Sequence, residues 1–337
     1  MRAYRPDQSG GIEHLRLREE PDPVPQRGEV LVRVRATSLN YRDLLLLGGT
    51  YRLPGRGGLI PLSDAAGEVV ALGPEVTRFA VGDRVINSFH PNWFGGRRSA
   101  EPAADTYGNV REGWLSEYRA VSENSLVALP DSLSFEQGAT LPCAAVTAWS
   151  ALTGVGVGDV VLTQGTGGVS LFALQLAKLL GARVVATTSS AERAERLRAL
   201  GADDVIDYVA EPEWGKAVLD VTGGRGADRI IEVGGPATFA QSLVAAGTHG
   251  AEIAVVGFLG EDSTPIDYMD LFRSGVSLRK IWVGSRADTE DLLRLLAVRP
   301  LEPVIDAVFP FADAVEALRR FESRGNFGKI VIAGPLL

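Results

Sequence analysis

The 337-residue chain has one cysteine, Cys143, and only three histidines, His14, His90 and His249. A single cysteine excludes an internal disulfide and any zinc or iron–sulfur site built from several cysteines. Positive charge is also scarce, because 34 Lys and Arg residues stand against 42 Asp and Glu, a net charge of −8. A broad electrostatic interaction with nucleic acid is therefore not expected.

Long apolar runs are also missing. Residues 160–177 carry no formal charge, but Gly, Thr, Gln and Ser interrupt them, so the stretch is too polar to span a bilayer. The N-terminus lacks the apolar segment of a secretory signal. Hydrophobic residues make up 45% and charged residues 23%, as in ordinary globular proteins. We expect a soluble, cytoplasmic protein of about two domains, with no membrane partner.

The first 125 residues are predicted to be rich in β-structure. Residues 29–36 alternate between polar and apolar side chains with period two, as a half-buried strand does. Residues 66–73 and 82–86 are further short strands bounded by Gly and Pro. Residues 87–113 are predicted to form a loop that shapes the substrate pocket.

From about residue 130 the pattern alternates between strands and helices, which predicts a parallel sheet covered by helices on both faces. The predicted strands are residues 160–163, 183–187, 230–234, 252–257 and 280–284. One helix follows the first strand and ends at Gly181, and another covers residues 191–200. The tail is predicted to hold an amphipathic helix, residues 311–324, and a closing strand, residues 329–332.

A glycine cluster stands between the first of these strands and its helix. It consists of Gly165, Thr166, Gly167, Gly168, Val169 and Ser170. Gly165 permits a tight turn, and Gly167 lets the backbone approach a pyrophosphate at the helix N-terminus. The small Ser170 replaces the third glycine of the dinucleotide-binding fingerprint. A plain turn between strand and helix is the alternative, but the surrounding alternation favours a nucleotide site.

The end of the second strand indicates which nucleotide is bound. An NAD site carries a carboxylate there, which binds the ribose 2′-hydroxyl. This chain has Ser189 and Ser190 instead, with Arg193 one turn into the next helix. Hydroxyl and guanidinium groups would bind the 2′-phosphate that a carboxylate would repel. NADP(H) is therefore preferred to NAD(H), although Glu192 lies nearby and Arg193 could be a solvated helix residue.

Seven segments in a fixed order connect the chain to a known family. They are residues 40–43 (NYRD), 61–69 (PLSDAAGEV), 81–85 (VGDRV), 141–149 (LPCAAVTAW), 165–170 (GTGGVS), 231–235 (IEVGG) and 326–331 (NFGKIV). The set resembles the medium-chain dehydrogenases/reductases, nearest their zinc-independent, quinone oxidoreductase-like branch. The resemblance implies an α/β fold in which a doubly wound Rossmann sheet is inserted in a β-rich, GroES-like catalytic domain.

The same resemblance implies domain limits and assembly. The catalytic domain would comprise residues 1–130 and 287–337, the Rossmann domain residues 131–286, and the active site would lie in the cleft. A homodimer or homotetramer is expected, because residues 280–285 could pair across a two-fold axis at the sheet edge. The alternative is an ordinary terminal strand covered by the following helix, residues 288–297.

The metal of the alcohol dehydrogenase branch is not expected here. That branch holds zinc with a Cys, a His beside a Glu, and a second Cys or an acid. The positions that match by resemblance are Asn40, Ser63, Asp64 and Cys143. Only Cys143 retains a usable ligand, and a catalytic zinc site needs about three protein ligands. His90 and His249 are expected to be ordinary surface or cleft residues.

A site without a metal favours particular chemistry. Oxidation of a simple alcohol would lose the Lewis acid that stabilises the alkoxide. Hydride addition to a quinone or enone needs less help, because conjugation delocalises the charge and one or two neutral donors suffice. We therefore expect an NADP(H)-dependent reductase of small quinones or α,β-unsaturated carbonyls. A zinc-free alcohol or aldehyde reductase and a non-catalytic NADPH-binding protein remain the alternatives.

The candidate catalytic donors are Asn40, Tyr51 and Tyr41. Asn40 occupies a vacant ligand position, and Tyr51 matches a cleft tyrosine that is common in quinone reductases. Tyr41 could point inward or into packing, and either tyrosine could be a partly buried ring. Asp43 is predicted to orient this loop and to pair with Arg42.

The resemblance implies further cofactor contacts at two strand ends and in the closing segment. These residues are Gly234, Gly235, Val256, Gly257, Asn326 and Lys329. Thr147 is also predicted to bind the cofactor. The alternative is that it packs at the domain junction.

Overall fold

The computed structural model describes residues 1–7, 10–51, 53, 55–98, 105–247, 250–259 and 265–334. His249 and part of the predicted loop, residues 99–104, lie outside these ranges. The chain divides into two compact units, Met1–Val146 with Gly284–Leu337, and Thr147–Val283. The sequence analysis placed the first boundary earlier, after residue 130.

The segment between residues 131 and 146 belongs to the first unit because its backbone is bound there. The Ser38 hydroxyl donates to the carbonyl of Ala139 at 2.8 Å. The amide of Cys143 donates to the carboxylate of Asp64 at 3.0 Å. Both contacts hold this segment against strands of the first unit, so it does not start the second.

The elements follow one another along the chain as follows. The strands are β1 (Arg2–Pro6), β2 (Leu15–Glu19), β3 (Glu29–Ser38), β4 (Asp64–Leu72), β5 (Arg84–Asn87), β6 (Tyr118–Ser122), β7 (Leu126–Ala128), β8 (Val160–Gln164), β9 (Arg183–Thr188), β10 (Asp204–Asp207), β11 (Arg229–Glu232), β12 (Glu252–Val255), β13 (Ser277–Lys280), β14 (Ile305–Pro310) and β15 (Lys329–Ala333). The helices are α1 (Tyr41–Leu47), α2 (Phe135–Ala139), α3 (Val146–Ala151), α4 (Gly168–Leu179), α5 (Ala191–Ala199), α6 (Trp214–Val221), α7 (Pro236–Ala245), α8 (Tyr268–Ser274), α9 (Arg286–Val298) and α10 (Ala314–Glu322). A single π-helical turn, Leu141–Ala145, precedes α3.

The first unit is built on a sheet with the strand order β14-β15-β3-β4-β5-β7, in which β6 also pairs with β3. Strand β3 has the predicted alternation, with Val30, Val32 and Val34 buried in the core. Its neighbours β4 and β15 both run antiparallel to it. The β-rich character of this unit is thus confirmed.

The second unit is a six-stranded, fully parallel sheet with the order β10-β9-β8-β11-β12-β13. This is the order of a doubly wound, dinucleotide-binding fold, which confirms the predicted class. Every residue of β8 is buried, as expected for a central parallel strand covered on both faces. The loops that follow β8, β9 and β11 all leave from the carboxyl edge of the sheet.

The last strand of this sheet differs from the prediction. Residues 280–284 were expected to be extended, whereas the strand is Ser277–Lys280, paired in parallel with β12. Val283 adopts a φ of 66°, a left-handed conformation that an extended strand does not contain. The predicted segment therefore overlaps the strand only at Lys280, and residues 281–284 lie beyond the end of the strand. Helix α9 then starts at Arg286, with the hydroxyl of Ser285 accepting a hydrogen bond from the amide of Asp288.

Strand β14 was not predicted, and the helix expected over residues 311–324 is shorter. A turn of 3₁₀ helix, Phe311–Asp313, leads into α10, and Arg324 then takes a φ of 55° that ends helical geometry. Within the described ranges, no helix combines the length and apolar character needed to cross a membrane.

Candidate active site

A buried polar cluster lies in the first unit where β3, β4 and β15 meet. Its side chains belong to Asn40, Ser63, Asp64 and Lys329, of which none is more than 8% exposed. Burial of this many polar groups is costly unless each has a partner. The cluster is therefore a place where the fold retains polar groups against a free-energy cost.

The strand register explains why these residues meet. Ser38 pairs with Asp64 across β3 and β4, and with Val331 across β3 and β15. Asn40 follows β3 by two residues, and Lys329 precedes Val331 by two residues on the antiparallel partner. Both side chains therefore reach the same end of β3.

The amide of Asn40 is held in one orientation. The Lys329 ammonium donates to Asn40 Oδ1 at 2.6 Å and to the carbonyl of Leu39. The Asn40 Nδ2 group donates to Ser63 Oγ at 3.3 Å. Because an ammonium has no acceptor, the amide oxygen must face Lys329, and its nitrogen must face Ser63.

The chain of hydrogen bonds ends on a buried carboxylate. Ser63 Oγ donates to Asp64 Oδ1 at 2.8 Å, and the backbone amide of Cys143 donates to Asp64 Oδ2 at 3.0 Å. Burial raises the pKa of Asp64, while Lys329 and these hydrogen bonds act in the opposite direction. Burial lowers the pKa of Lys329, and the charge of Asp64 opposes that shift. Positive and negative charges thus lie at opposite ends of one oriented chain.

A second carboxylate secures the loop that carries Asn40. Asp43 Oδ2 accepts a hydrogen bond from the backbone amide of Asn40 at 2.8 Å. Asp43 Oδ1 lies 3.7 Å from the guanidinium of Arg42. Burial raises the pKa of Asp43 to about 6, with Arg42 as the main opposing charge. The predicted ion pair and the predicted role of Asp43 in orienting the loop are both confirmed.

The two candidate tyrosines lie apart from this hydrogen-bonded chain. The hydroxyl of Tyr41 accepts a hydrogen bond from Arg324 at 2.9 Å, and the guanidinium of Arg324 lies 5.3 Å from the ring centre. The ring of Tyr51 lies 5.4 Å from the guanidinium of Arg42, which also contacts Phe89 at 5.1 Å. Of the three predicted donors, the structure connects only Asn40 to the buried cluster.

The donors of this cluster do not fit a catalytic zinc ion. Among the described residues, no group of three or more His, Cys, Asp and Glu side chains is arranged to hold a metal. Two of the matching positions, Asn40 and Ser63, carry an amide and a hydroxyl, which are not usual zinc ligands. His90, which was expected to be an ordinary surface or cleft residue, is 5% exposed and packs edge-on against Phe89 and Trp93.

The glycine turn of the second unit does fit a dinucleotide. Gly165 has a φ of 70°, and α4 begins at Gly168 with Gly167 as its N-cap. Apart from each glycine and its immediate chain neighbours, no described atom lies within 4 Å of the Cβ position at Gly165 or Gly167, so both glycines border open space. Ser170 is buried, and its hydroxyl donates to the carbonyl of Gln164 at 2.6 Å, which holds helix to strand. Backbone N–H groups at this helix start are available to a phosphate.

Ser189 and Ser190 follow β9 directly, at the same edge of the sheet. Ser189 is exposed, whereas Ser190 caps α5 by accepting a hydrogen bond from the backbone amide of Arg193 at 3.4 Å. The Arg193 side chain is half-buried. The two serines therefore differ, because the hydroxyl of Ser190 caps the helix and the hydroxyl of Ser189 does not.

A buried carboxylate that the sequence analysis did not single out organises a second glycine turn. Glu232, at the end of β11, is 0% exposed and accepts five hydrogen bonds. Its donors are the backbone amides of Gly234 and Gly235, each at 2.9 Å, Thr238 Oγ1 at 2.5 Å, Gln164 Nε2 at 2.8 Å, and the hydroxyl of Ser242. The network joins Gln164, which precedes the glycine turn at Gly165, to the second glycine turn at Gly234 and Gly235. An acid at a strand end, separated by one residue from two consecutive glycines, was the signal that could have revealed it.

The remaining predicted cofactor residues occupy varied positions. A Cβ at Gly257 would lie 2.8 Å from the carbonyl of Val233, so backbone passes closely there. The amide of Val256 donates to the carbonyl of Glu232 at 2.9 Å. Asn326 Nδ2 donates to the carbonyl of Gly328 at 2.7 Å and holds the turn before β15. Thr147 is buried at the start of α3.

Comparisons with known proteins agree with both units. Residues 26–131 match the alcohol dehydrogenase GroES-like domain, and residues 168–298 match the zinc-binding dehydrogenase family. A zinc-type alcohol dehydrogenase-like protein of Schizosaccharomyces pombe is 38% identical over 97% of both chains. A quinone oxidoreductase of Pseudomonas aeruginosa is 31% identical over 96% of both chains.

Solved structures give the same result. An NAD-dependent alcohol dehydrogenase has a TM-score of 0.89 at 34% identity, covering 99% of both chains. A mycobacterial protein in complex with NADPH has a TM-score of 0.82 at 28% identity, covering 99% of this chain and 100% of the other. The chain therefore belongs to the medium-chain dehydrogenase/reductase superfamily, a family of nicotinamide-dependent oxidoreductases.

Proposed function

We propose that this protein is an NADPH-dependent oxidoreductase that transfers hydride, without a metal ion, to a quinone or an α,β-unsaturated carbonyl. The observation that carries the proposal is the fixed amide of Asn40. The Asn40 Nδ2 group donates to Ser63 Oγ at 3.3 Å, and the Lys329 ammonium holds the amide oxygen. We assign the N–H that does not face Ser63 to the oxygen of a substrate, for which it would be a pre-oriented donor.

The chemistry of conjugated substrates matches such a donor. When bound, the dihydronicotinamide supplies a hydride. Addition of the hydride to the β-carbon moves the π electrons toward the carbonyl oxygen. The product is an enolate, which then takes a proton from water. A quinone becomes a phenolate in the same way. A pre-oriented N–H stabilises the oxygen that gains charge and needs no reorganisation during the reaction.

The preference for NADPH is supported by the end of β9. Among the described residues, the loop offers the exposed hydroxyl of Ser189 where an NAD site would present a carboxylate. Arg193 lies in the first turn of α5, which begins after Ser190. A guanidinium and a helix N-terminus both favour a phosphate. The solved mycobacterial relative in complex with NADPH adds support.

Loss of NADPH absorbance tests the proposal directly. With NADPH and a panel of enones and quinones, we expect turnover, while NADH should bind more weakly in a fluorescence titration. The control arm offers simple alcohols with NADP⁺, before and after addition of zinc. Absence of turnover with every conjugated substrate, together with zinc-stimulated alcohol oxidation, would favour the alcohol dehydrogenase function of the other relatives.

We also propose that two copies associate through the free edge of the six-stranded sheet. Among the described strands, β13 is the last in the order and pairs on one side only. Nearby α8 exposes Tyr268 and Phe272, which are 73% and 69% exposed and stack at 6.4 Å, and Leu278 on β13 is 44% exposed. Exposed apolar groups beside an unpaired edge are typical of an interface between copies.

Light scattering tests this assembly. The wild-type chain should have about twice the mass of one chain. Phe272→Glu, which places a charge in the exposed aromatic pair, should shift the mass toward that of a single chain. A monomeric wild type would exclude the proposed interface, and an unchanged mass for the variant would place the contact elsewhere.

A further inference from the structure

We propose that Lys329 is a positioning residue for the reaction and supplies the fixed positive charge that a metal ion provides in other members of the superfamily. The inference rests on the proposed function, since the substrate oxygen is assigned to Asn40. The sequence analysis had placed Lys329 among the cofactor contacts. Its hydrogen bonds to Leu39 and Asn40 point to a different task.

The first argument is the direction of the hydrogen bonds. Lys329 Nζ lies 2.6 Å from Asn40 Oδ1, so the ammonium binds the amide oxygen and leaves the amide nitrogen to other partners. A cation at the oxygen draws electron density through the conjugated amide and makes its N–H groups better donors. Hydrogen bonds that involve a charged group are about twice as strong as neutral ones.

The second argument is that the other members of the cluster are already engaged. Ser63 donates its hydroxyl hydrogen to Asp64, and Asp64 accepts from Ser63 and from the amide of Cys143. None of these groups has a hydrogen to offer a substrate oxygen. Within the proposed function, the amide of Asn40, backed by the Lys329 ammonium, is the group that donates to the substrate oxygen.

The third argument is burial. Lys329 is 3% exposed, and the carboxylates of Asp64 and Asp43 are its counter-charges. A charge in such surroundings is screened far less by water than a surface charge. The carbonyl of Leu39 and the Asn40 amide fix the ammonium. It therefore acts as an electrostatic element that is held in place and does not need to move when charge develops on the substrate.

Lys329→Met tests the charge while keeping much of the side-chain volume. We expect kcat for an enone or quinone to fall by about 10²–10³-fold, the loss typical of one oxyanion-stabilising group. The Kd of NADPH should change by less than about twofold, because the ammonium is bound by Leu39 and Asn40. Lys216→Met is the matched control, since Lys216 forms an exposed pair with Glu213. A raised Kd with unchanged kcat would overturn the proposal in favour of a cofactor contact.

Chemical rescue separates charge from structural support. In Lys329→Ala, propylammonium should restore part of kcat in a saturable manner, whereas 1-propanol, a neutral molecule of similar size, should not. Equal rescue by both compounds, or rescue by neither in a variant that melts cooperatively, would overturn the proposal.

A probe of the wild-type protein gives a result even if both variants fail to fold. We would titrate 4-nitrophenol by absorbance with the NADPH-saturated protein, since the neutral dihydronicotinamide does not itself attract a phenolate. Its pKa should be lower when bound than when free, and Lys329→Met should abolish the difference. A bound pKa at or above the free value overturns the inference. A lowered pKa in a protein that reduces no enone or quinone would support the charge and reject the proposed function.

Discussion

Replacing Glu232 with glutamine is expected to destabilise the second unit by about 2–6 kcal/mol and to weaken NADPH binding. The carboxylate accepts five hydrogen bonds and is 0% exposed. Glutamine has the same shape as glutamate, but its NH₂ group is itself a donor. It cannot accept a hydrogen bond from the donors that surround it. At least two buried donors would lose their partner, and each loss costs about 1–3 kcal/mol.

Urea unfolding measures the stability of this variant, and fluorescence titration measures its affinity for NADPH. Weaker binding follows from the two glycine turns, since Glu232 holds Gly234 and Gly235 directly and reaches the first turn through Gln164. Glu195→Gln is the control, because Glu195 forms an exposed pair with Arg198 and should change stability by no more than about 0.5 kcal/mol. Equal stability of the two variants would show that the network contributes little.

Replacing Asn40 with aspartate should lower kcat for a quinone or enone by about 10²–10³-fold. A carboxylate only accepts hydrogen bonds, so the side-chain N–H that is proposed to bind the substrate oxygen is lost. The new negative charge would also pair with Lys329, whose ammonium lies 2.6 Å from Oδ1 of the present side chain. Both changes remove stabilisation from the oxygen that becomes negative in the reaction.

Stopped-flow absorbance of NADPH measures the rate, and thermal unfolding checks that the variant is folded. Asn124→Asp makes the same chemical change at an exposed position of the first unit, where it should leave kcat unaltered. A folded Asn40→Asp protein with wild-type kcat would remove Asn40 from the reaction and direct attention to Tyr51.

Much of the second unit could be predicted from the sequence because its signals are local. A glycine turn needs a positive φ at one position and an open approach at another, and Gly165 and Gly167 satisfy those needs within three residues. Strands β8, β9, β11 and β12 lay close to their predicted limits because buried parallel strands are apolar runs. The strand at residues 280–284 was wrong because a single left-handed residue, Val283, is invisible in an apolar pattern.

The candidate active site was harder to predict from the sequence, because its residues are far apart along the chain. Asn40 was identified by resemblance, but its partners are Ser63, which directly precedes β4, and Lys329, which begins β15. Lys329 carries no signal of its own beyond a basic residue at the start of an apolar strand. The pairing of β15 with β3 brings it to Asn40.

By itself, the amino-acid sequence determined the doubly wound sheet, its glycine turn and the superfamily, because period, turn chemistry and motif order act over short stretches of chain. Only the tertiary structure decided which polar groups share one buried cluster and which way each hydrogen bond runs. The reason is that antiparallel register, which places Lys329 opposite Asn40, depends on how distant strands pair and not on any local pattern.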